Sequence, residues 1–263
     1  MQIAIAVPHI VPDWPGLPAN VGALSTVRAG GASLGPYDDG RGGGGLNLGV
    51  HVGDDPACVA QNRARLAAAL PSEPAWLSQV HGVAVADAAG LAGCVPDADA
   101  SVATQPGVVC TVMTADCLPV LFCSHDGQVV GAAHAGWRGL ANGVLQTTVQ
   151  EMRARGATEI LAWLGPAIGP GAFEVGADVL QAFRDGARDA VEAQSLSDAF
   201  IAIAGKPGKY LADIYALARL MLRRDGVSRV AGGEYCTVSD AAQFYSYRRD
   251  GVTGRQASLI WRK

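Results

Sequence analysis

The sequence predicts an α+β fold in a single compact domain, residues 1–263, in which helices flank mixed β-sheets. Three observations support this prediction. Short β-branched or apolar runs recur along the chain and are bounded by Gly, Pro or Asp, which is typical of strands. Longer segments with helical periodicity lie between some of these runs. Several strands follow one another before any helix intervenes, which excludes both strict β-α-β alternation and an all-β fold.

The predicted elements are spread over the whole chain. Strands are predicted at Ile3–Val7, Val83–Ala86, Val108–Met113, Val120–Cys123, Val129–Ala133, Ile160–Leu164, Arg229–Ala231 and Ser258–Trp261. Helices are predicted at about Pro56–Leu70, Leu140–Arg155, Ala177–Arg188 and Leu211–Arg224. Near the C-terminus, the stretches 244–249 and 255–261 flank a turn and are predicted to form a hairpin, whose aromatic residues pair across the strands or stack on a purine.

The helix that begins at Pro56 carries clear start signals, because an Asp occupies the cap position and Pro the first helical position. Arg63 shares one face of this helix with three apolar residues, Val59, Leu66 and Leu70. Arg63 is therefore expected to point inward. The alternative is that only its stem packs while its charged group reaches water from the edge of that face.

Length and composition indicate one large core. The 263 residues are 49% hydrophobic, enough to bury a large core in one domain. No Ser/Pro-rich linker, charge block or internal repeat divides the chain. The Gly-rich stretch Gly40–Gly45 is too short for a domain linker and is interpreted as a flexible surface loop.

The charge of the chain and its N-terminal sequence limit the classes of partner and the cellular location that are expected. The net charge is −4, with Lys and Arg scattered, so nucleic acid is not an expected partner. Met1–Ile10 has no cationic segment, and Pro8 interrupts its apolar run, so neither a signal peptide nor a membrane span is predicted. A cytoplasmic location is expected. Six Cys without a Cys-x-x-Cys pair indicate reduced thiols.

Three short motifs carry most of the functional information: Gln79–Gly82 around His81, Thr114–Pro119 around Cys117, and Ala133–Gly139 around His134. Each of these three residues alone would be interpreted as a packed core residue, since free Cys in particular is commonly buried. All three, however, lie beside turn residues at the ends of apolar runs, where functional sites are built. Two imidazoles and one thiolate are what a catalytic zinc ion needs to keep a fourth position open.

The segment from His134 to Gly139 is predicted to join a strand to a helix. Glycines at such a junction let the backbone approach a ligand, and free N–H groups at a helix start favour an anion. Arg138 either faces that anion or is a solvated side chain at the helix start. As a phosphate loop the segment is a weak signal, because it lacks a Walker sequence.

The same segments, with others, resemble the bacterial YfiH/YlmD family, which was formerly described as laccase-type polyphenol oxidases and is related to the human protein FAMIN. The matching stretches are Asn47–Gly49, His51–Pro56, Asn62–Arg63, Gln79–Gly82, Asp97–Ala100, Met113–Pro119, His134–Gly139, Leu164–Gly169, Tyr210–Tyr215, Ser246–Asp250 and Thr253–Arg255. They cover nearly the whole chain. The sequence departs from the family at Gly40–Gly45, where a shorter connection is expected.

The resemblance implies the same α+β fold and a purine nucleoside phosphorylase. Such an enzyme cleaves adenosine, inosine, guanosine or S-methyl-5′-thioadenosine with phosphate and also deaminates adenosine. Zinc lowers the pKa of bound water, which supplies a physical route to the deamination; copper is the alternative metal. The implied metal ligands are His81, Cys117 and His134, which are also the implied catalytic residues together with Arg63. The candidate substrate contacts are Asn47, His51, Arg63, Asp116, Arg138 and Arg248, with Asp116 a candidate general acid because it adjoins Cys117. His51 lies in a matching stretch and either approaches the pocket or caps a loop.

Three other classes of function compete with this interpretation. A cysteine hydrolase would use the same residues, with Cys117 as nucleophile and His81 or His134 as base. A copper oxidase could use a His₂Cys site with Met113 nearby, but a laccase also needs a multinuclear centre, and five His without a His-x-His pair cannot build one. A non-enzymatic binding module gives no reason to gather Cys, His and Arg motifs at one site.

Overall fold

The computed structural model describes residues 7–91 and 93–263. Within them the strands are β1 (His9–Ile10), β2 (Val21–Thr26), β3 (Ala29–Ser33), β4 (Val85–Asp87), β5 (Ala100–Ala103), β6 (Val109–Thr114), β7 (Leu118–Ser124), β8 (Val130–Ala135), β9 (Ile160–Leu164), β10 (Glu174–Gly176), β11 (Phe200–Ala202), β12 (Lys209–Ala212), β13 (Arg229–Gly232) and β14 (Gln256–Arg262). The helices are α1 (Pro56–Ala67), α2 (Trp137–Ala141), α3 (Val144–Ala154), α4 (Ala177–Asp185), α5 (Ala190–Ser197), α6 (Ile214–Arg224) and α7 (Tyr247–Asp250).

The larger of two central sheets is mixed. Its six strands lie in the order β13-β9-β7-β8-β5-β4, parallel between β13 and β9 and between β4 and β5, and antiparallel elsewhere. A four-stranded antiparallel sheet has the order β1-β2-β14-β6, and a small antiparallel sheet the order β10-β12-β11. The predicted α+β fold in a single compact domain with mixed sheets is confirmed.

Strand β7 is buried on both faces, and its sequence is accordingly a nearly continuous apolar run. Leu118, Val120 and Phe122 point to the core that α3, α4 and α6 cover. Leu121 and Cys123 point the opposite way, into the core that the six-stranded sheet shares with the four-stranded sheet. The molecule is therefore built as a layer of helices, the six-stranded sheet and the four-stranded sheet.

Helices α3 and α6 illustrate how amphipathic segments cover the large sheet. Val149 and Met152 of α3 and Leu217 and Met221 of α6 are buried in one apolar cluster with the sheet. Polar side chains occupy the opposite faces of these helices, as the periodicity of the sequence predicts. Within the described part of the chain, no helix has both the length and the apolar character needed to cross a membrane.

The connection between β6 and β7 positions a key segment. Strand β6 belongs to the four-stranded sheet and β7 to the six-stranded sheet, so the intervening residues 115–117 cross from one layer to the other. The crossing requires a positive φ of 89° at Asp116, a conformation that few non-glycine residues adopt. The Asp116 carbonyl accepts a 2.9 Å hydrogen bond from the Ile168 N–H, which holds the turn. Cys117 is thereby placed at the start of β7, beside the end of β8.

Most predicted elements are confirmed with shifted bounds. The Asp55 side chain caps α1 by accepting a hydrogen bond from the Ala57 N–H. The predicted helix Leu140–Arg155 is two helices, because Gly143 adopts a φ of 96° and breaks it. The predicted helix Leu211–Arg224 begins only at Ile214, since its first two residues belong to β12. The strand predicted at Ile3–Val7 lies outside the described residues, apart from Val7.

The predicted C-terminal hairpin is wrong. Ser246 instead caps the short helix α7, its side chain accepting a hydrogen bond from the Arg249 N–H. Phe244 and Tyr245 are fully buried, and the Tyr245 N–H donates to the side-chain oxygen of Gln256. Strand β14 pairs with β2 and β6, which come from distant parts of the chain. The local spacing of aromatic residues therefore predicted that residues 244–249 pair with residues 255–261, whereas β14 pairs with strands that are distant in the sequence.

The sequence pattern missed β1, β2, β3, β5 and β10–β12, which are short or rich in small residues. The stretch Gly40–Gly45 lies mostly at the surface, as predicted. The N–H groups of Gly30 and Gly31 in β3 both donate to the Gly44 carbonyl, which ties the end of the loop to that strand.

Candidate metal centre and active-site cavity

A cavity of about 620 Å³ opens where the ends of β6 and β8 meet the start of β7. Apolar side chains make up much of its lining, together with a smaller number of polar and charged groups, which is common for small-molecule sites. The lining residues are Val50, His51, Arg63, Trp76, Leu77, Ser78, Gln79, His81, Val95, Met113, Thr114, Ala115, Cys117, His134, Tyr247 and Arg255.

The three predicted metal ligands meet at one end of this cavity. The ligand atoms of His81, Cys117 and His134 all lie within 4.8 Å of one another. The Cys117 Sγ is 3.7 Å from the His81 Nε2, and the two imidazole rings stand edge to face with centroids 4.8 Å apart. His134 is buried, Cys117 half-buried and His81 exposed, so the cluster faces solvent on one side. Three residues from separate parts of the sequence thus converge on one point.

The buried carboxylate of Asp99 organises this cluster. Its oxygens accept hydrogen bonds from the N–H groups of Val80 (3.2 Å), His81 (2.9 Å) and Gly82 (2.6 Å). These bonds hold the turn in which His81 adopts a φ of 61°. The same carboxylate lies 2.8 Å from Nδ1 of His134. One fully buried side chain therefore fixes the backbone of one histidine and the ring of the other.

The electrostatics of the cluster favour a thiolate. Burial alone would raise the pKa of Cys117, but the charge of His134 and hydrogen bonds from both imidazoles lower that pKa to about 6. Burial alone would lower the pKa of His134, but the Cys117 charge and the Asp99 hydrogen bond raise it to about 9. Burial would also raise the pKa of Asp99, yet the hydrogen bonds from His134, Gly82 and His81 outweigh it and lower that pKa. Without a metal, the preferred state is a thiolate beside an imidazolium.

The donor set fits a zinc ion. Two imidazole nitrogens and one thiolate are borderline and soft ligands, and three protein ligands leave a fourth tetrahedral position open. Because Nδ1 of His134 is bonded to Asp99, its Nε2 is the atom left to bind a metal. Gly136 keeps the space clear: a Cβ there would lie 2.6 Å from the His81 Cδ2 and 3.1 Å from the Cys117 Sγ.

Arg63 lies in the cavity wall, as the face of its helix predicted. Its Nε donates to the Leu48 carbonyl at 2.9 Å, and its guanidinium carbon is 3.9 Å from the centre of the Trp76 ring. A terminal nitrogen also approaches the Met113 Sδ at 3.9 Å. These contacts orient the guanidinium and leave terminal N–H groups for a ligand.

His51 lines the same cavity, as predicted. Partial burial lowers its pKa, and the charges of Arg255 and Arg63 add to that effect. The imidazole is therefore neutral at physiological pH and lies close to two guanidinium groups.

Asn47 and Arg138 do not line the cavity. Asn47 is fully buried, and its Oδ1 accepts hydrogen bonds from the N–H groups of Gly49 and Arg255, both at 2.9 Å. The Arg138 guanidinium instead stacks on the ring of Trp137, 4.5 Å from its centre. The structure gives Asn47 a supporting contact to a cavity residue and places Arg138 away from the cavity.

Asp116 and Arg248 also lie outside the lining. Both carboxylate oxygens of Asp116 are used: one accepts from the Thr237 hydroxyl and the other from the Arg248 N–H, each at 2.6 Å. The Arg248 side chain donates to the Glu174 carbonyl at 2.9 Å. Adjacency to Cys117 in the sequence therefore does not bring the Asp116 carboxylate into the cavity, because the positive φ turns it towards α7.

Sequence reasoning gave no individual role to several lining residues, among them Arg255 and Tyr247. Arg255 directly precedes the buried strand β14, and a charged residue at the start of such a strand is the signal that could have identified it. The side chain of Gln79 is occupied, since it exchanges hydrogen bonds with the backbone of Met113 at 2.7 and 2.8 Å.

With this geometry established, comparison with known proteins shows the family. The chain belongs to the multi-copper polyphenol oxidoreductase laccase family, whose model matches residues 22–263. A purine nucleoside phosphorylase of Pseudomonas aeruginosa is 54% identical over 252 residues, covering 96% of this chain and 97% of that protein. The purine nucleoside phosphorylase YfiH of Escherichia coli is 54% identical over 254 residues, covering 96% and 98%.

Solved structures agree with these relatives. A Neisseria meningitidis protein is 50% identical with a TM-score of 0.86, covering 97% of this chain and 99% of that one. YlmD from Geobacillus stearothermophilus is 32% identical with a TM-score of 0.83, covering 98% and 97%. The resemblance to the YfiH/YlmD family is confirmed.

Proposed function

We propose that this chain is a purine nucleoside phosphorylase, with residues 1–263 as one catalytic domain. Its substrates are adenosine, inosine, guanosine and S-methyl-5′-thioadenosine. One observation carries the proposal: a single cavity contains both the His81, Cys117 and His134 cluster and the oriented guanidinium of Arg63. The names of relatives 54% identical to this chain support the same reaction.

The reaction requires two kinds of group, and the cavity holds both. A phosphate oxygen forms a bond to C1′ of the nucleoside while the N-glycosidic bond breaks, giving ribose 1-phosphate. The purine leaves with the electron pair of that bond and takes up a proton. We assign Arg63 to holding phosphate at the anomeric carbon and the histidine and cysteine cluster to the side of the leaving purine, where charge develops.

We propose zinc as the metal, held by His81, Cys117 and His134. Zinc bound there would supply Lewis-acid stabilisation and activate water, which provides the chemistry for a second reaction, deamination of adenosine to inosine. The Asp99 carboxylate, which holds the His134 ring at 2.8 Å, keeps the nitrogen that faces Cys117 free. Copper is the alternative metal for the same donors.

A cysteine hydrolase is the second candidate, and one observation favours it. The Cys117 Sγ is 3.7 Å from the His81 Nε2, and the pKa of the thiol is lowered to about 6. A thiolate beside an imidazole is a nucleophile when no metal holds it. The two candidates differ in one respect: a metal-bound Cys117 resists alkylation, whereas a free thiolate reacts rapidly.

Copper oxidation receives less support, although the description of the family mentions it. A laccase needs several copper ions held by paired histidines. Among residues 7–91 and 93–263, the cluster at the cavity is the one group of three or more His, Cys, Asp or Glu side chains suited to a metal. A single three-ligand centre suits zinc chemistry better than multicopper chemistry.

The test is incubation of the purified protein with adenosine and phosphate. The expected products are adenine and ribose 1-phosphate, with inosine and ammonia formed separately. Both activities should be lost in His81→Ala and in His134→Ala while circular dichroism shows an intact fold.

His125→Ala is the matched control, because His125 is exposed and pairs with Glu159 instead of lining the cavity. Its activity should equal that of the unaltered protein. A phosphorylase or deaminase carried over from the expression host would persist in the His81 and His134 variants, and that result would reject the assignment.

A further inference from the structure

We propose that Arg255, together with Arg63 and His51, forms an oxyanion subsite on one wall of the cavity and that this subsite holds inorganic phosphate. The inference rests on the proposed phosphorolysis and adds the residues that bind its second substrate. Arg255 lies in one of the stretches that match the family, but no individual role was predicted for it from the sequence.

The backbone of Leu48 ties the two arginines together. The Leu48 N–H donates to the Arg255 carbonyl at 3.1 Å, and the Leu48 carbonyl accepts from the Arg63 Nε at 2.9 Å. Asn47 fixes the same segment by accepting from the Arg255 N–H at 2.9 Å. His51, three residues after Leu48, also lines the cavity. One short segment, residues 47–51, thus brings two guanidinium groups and an imidazole to one wall.

No carboxylate of the described residues lies within 4 Å of either guanidinium, although the charge of Glu73 acts on Arg63 and the charges of Cys117 and Asp116 act on Arg255. The ion pairs within 4 Å among residues 7–91 and 93–263 include neither Arg63 nor Arg255. Burial lowers the pKa of both side chains, the direction expected for cations that have lost water. Two partly buried cations that line one cavity are stabilised when an anion binds there. The positive charge of this wall therefore favours the binding of an anionic ligand.

The free donors match a tetrahedral oxyanion. Arg255 uses Nη1 for the carbonyls of Thr253 and Gly254, at 3.2 and 3.0 Å. Its Nε and Nη2 have no protein acceptor within the described ranges. Arg63 likewise keeps N–H groups of its terminal nitrogens, and two planar forks can each bind two oxygens of one phosphate. The wall lies in the same cavity as Cys117, so phosphate held there is beside the nucleoside.

A substitution at Gly49 would displace the Arg255 side chain without changing its charge. A Cβ on Gly49 would lie 2.8 Å from the Arg255 Cγ and 3.2 Å from its Cβ. Because these atoms are close to the backbone, the Arg255 side chain must shift. Gly49 has an ordinary φ, so Gly49→Ala acts through this contact.

The experiment measures phosphate binding by equilibrium dialysis of the purified full-length protein with radiolabelled inorganic phosphate. Arg255→Gln and Gly49→Ala should each raise the Kd for phosphate, in the first case roughly 10- to 100-fold, the scale of losing hydrogen bonds to a charged group. Arg255→Lys should recover part of the affinity because it keeps the charge but not the fork. Arg65→Gln, an exposed arginine on α1 outside the cavity, should leave the Kd unchanged.

Turnover assays separate this inference from the proposed function. In phosphorolysis, Arg255→Gln should raise the KM for phosphate while the KM for the nucleoside and the metal content stay constant. Phosphate binding that depends on Arg255 in a protein that releases no purine would refute phosphorolysis and leave the subsite standing. Normal phosphate KM and Kd in a folded Arg255→Gln variant would overturn the subsite and leave phosphorolysis standing. Arg255-dependent binding of adenosine 5′-monophosphate, without binding of free phosphate, would overturn it as well.

Discussion

The Asp99 carboxylate lies 2.8 Å from Nδ1 of His134, and both side chains are buried. This contact selects which imidazole nitrogen faces Cys117. The same carboxylate binds the N–H groups of His81 and Gly82, so a single group sets the position of two of the three metal-ligand candidates.

Asp99→Asn should lower the affinity for zinc by roughly 10- to 100-fold, the usual cost of losing a partner of a metal-ligating histidine. The Asn amide would place N–H donors against backbone N–H groups that the carboxylate now satisfies. Chelator competition measures the affinity, and the absorption spectrum of the cobalt-substituted protein reports the ligand geometry. Asp97→Asn, an exposed carboxylate two residues away, is the control and should bind zinc normally.

Gly136→Ala should abolish metal binding and activity. The added Cβ would lie 2.6 Å from the His81 Cδ2, while the backbone of Gly136 has an ordinary φ of −59°, so the effect is steric and local. Elemental analysis of the purified variant checks the metal content. Gly171→Ala is the matched control, since a Cβ there meets nothing within 4 Å. Full metal content in the Gly136 variant would contradict the proposed coordination.

The pH dependence of Cys117 has a defined sign. With a pKa of about 6, the thiol is deprotonated at neutral pH and gains its proton as pH falls through 6. Zinc affinity should therefore decrease as pH falls through about 9, where the His134 imidazole gains a proton, and more steeply below about pH 6, where Cys117 gains one as well, since the metal competes with protons for these ligands. In the metal-free protein, alkylation of Cys117 by iodoacetamide should rise from pH 5 to pH 7 and then level off.

Cys110 and Cys123 are internal controls for that measurement. Both are fully buried, and burial raises the pKa of each to about 12. They should remain unmodified at neutral pH in the folded protein. Zinc should protect Cys117 from the reagent; rapid alkylation of active protein loaded with zinc would favour the cysteine hydrolase.

Arg63→Ala should reduce kcat/KM for phosphorolysis by on the order of 100-fold or more, the scale of losing a charge-stabilising or positioning group. Metal content should not change, because Arg63 contacts Trp76, Leu48 and Met113 and none of the ligand candidates. Steady-state kinetics at several phosphate concentrations checks the effect, with Arg65→Ala as control. Unaltered kinetics would show that Arg63 only packs against its neighbours.

Several features of the site were readable in the sequence because they depend on local chemistry. Turn residues beside His81, Cys117 and His134 indicated that these side chains stand at strand ends, and the spacing along α1 placed Arg63 on its inner face. The helix start at Pro56 was likewise a local signal, confirmed by the Asp55 cap.

Other features depended on contacts between distant segments. The carboxylate of Asp116 was expected near the ligand, but its hydrogen bond to Thr237, 121 positions away, directs it elsewhere. The predicted hairpin failed because β14 pairs with β2 and β6. Asp99 and Arg255 received no individual role, since their functions arise only from neighbours that the fold supplies.

The sequence by itself determined the α+β class, the family resemblance and four residues of the cavity, His81, Cys117, His134 and Arg63, because residue type, short motifs and short-range periodicity encode them. The tertiary structure alone decided which of these residues share a cavity, that Asp99 supports the cluster, and that Arg255 lies on the same wall as Arg63. Those relationships depend on sheet register and on the crossing between the two sheets. The register and the crossing are both determined by the burial of many side chains that are far apart in the sequence, so no local sequence pattern predicts them.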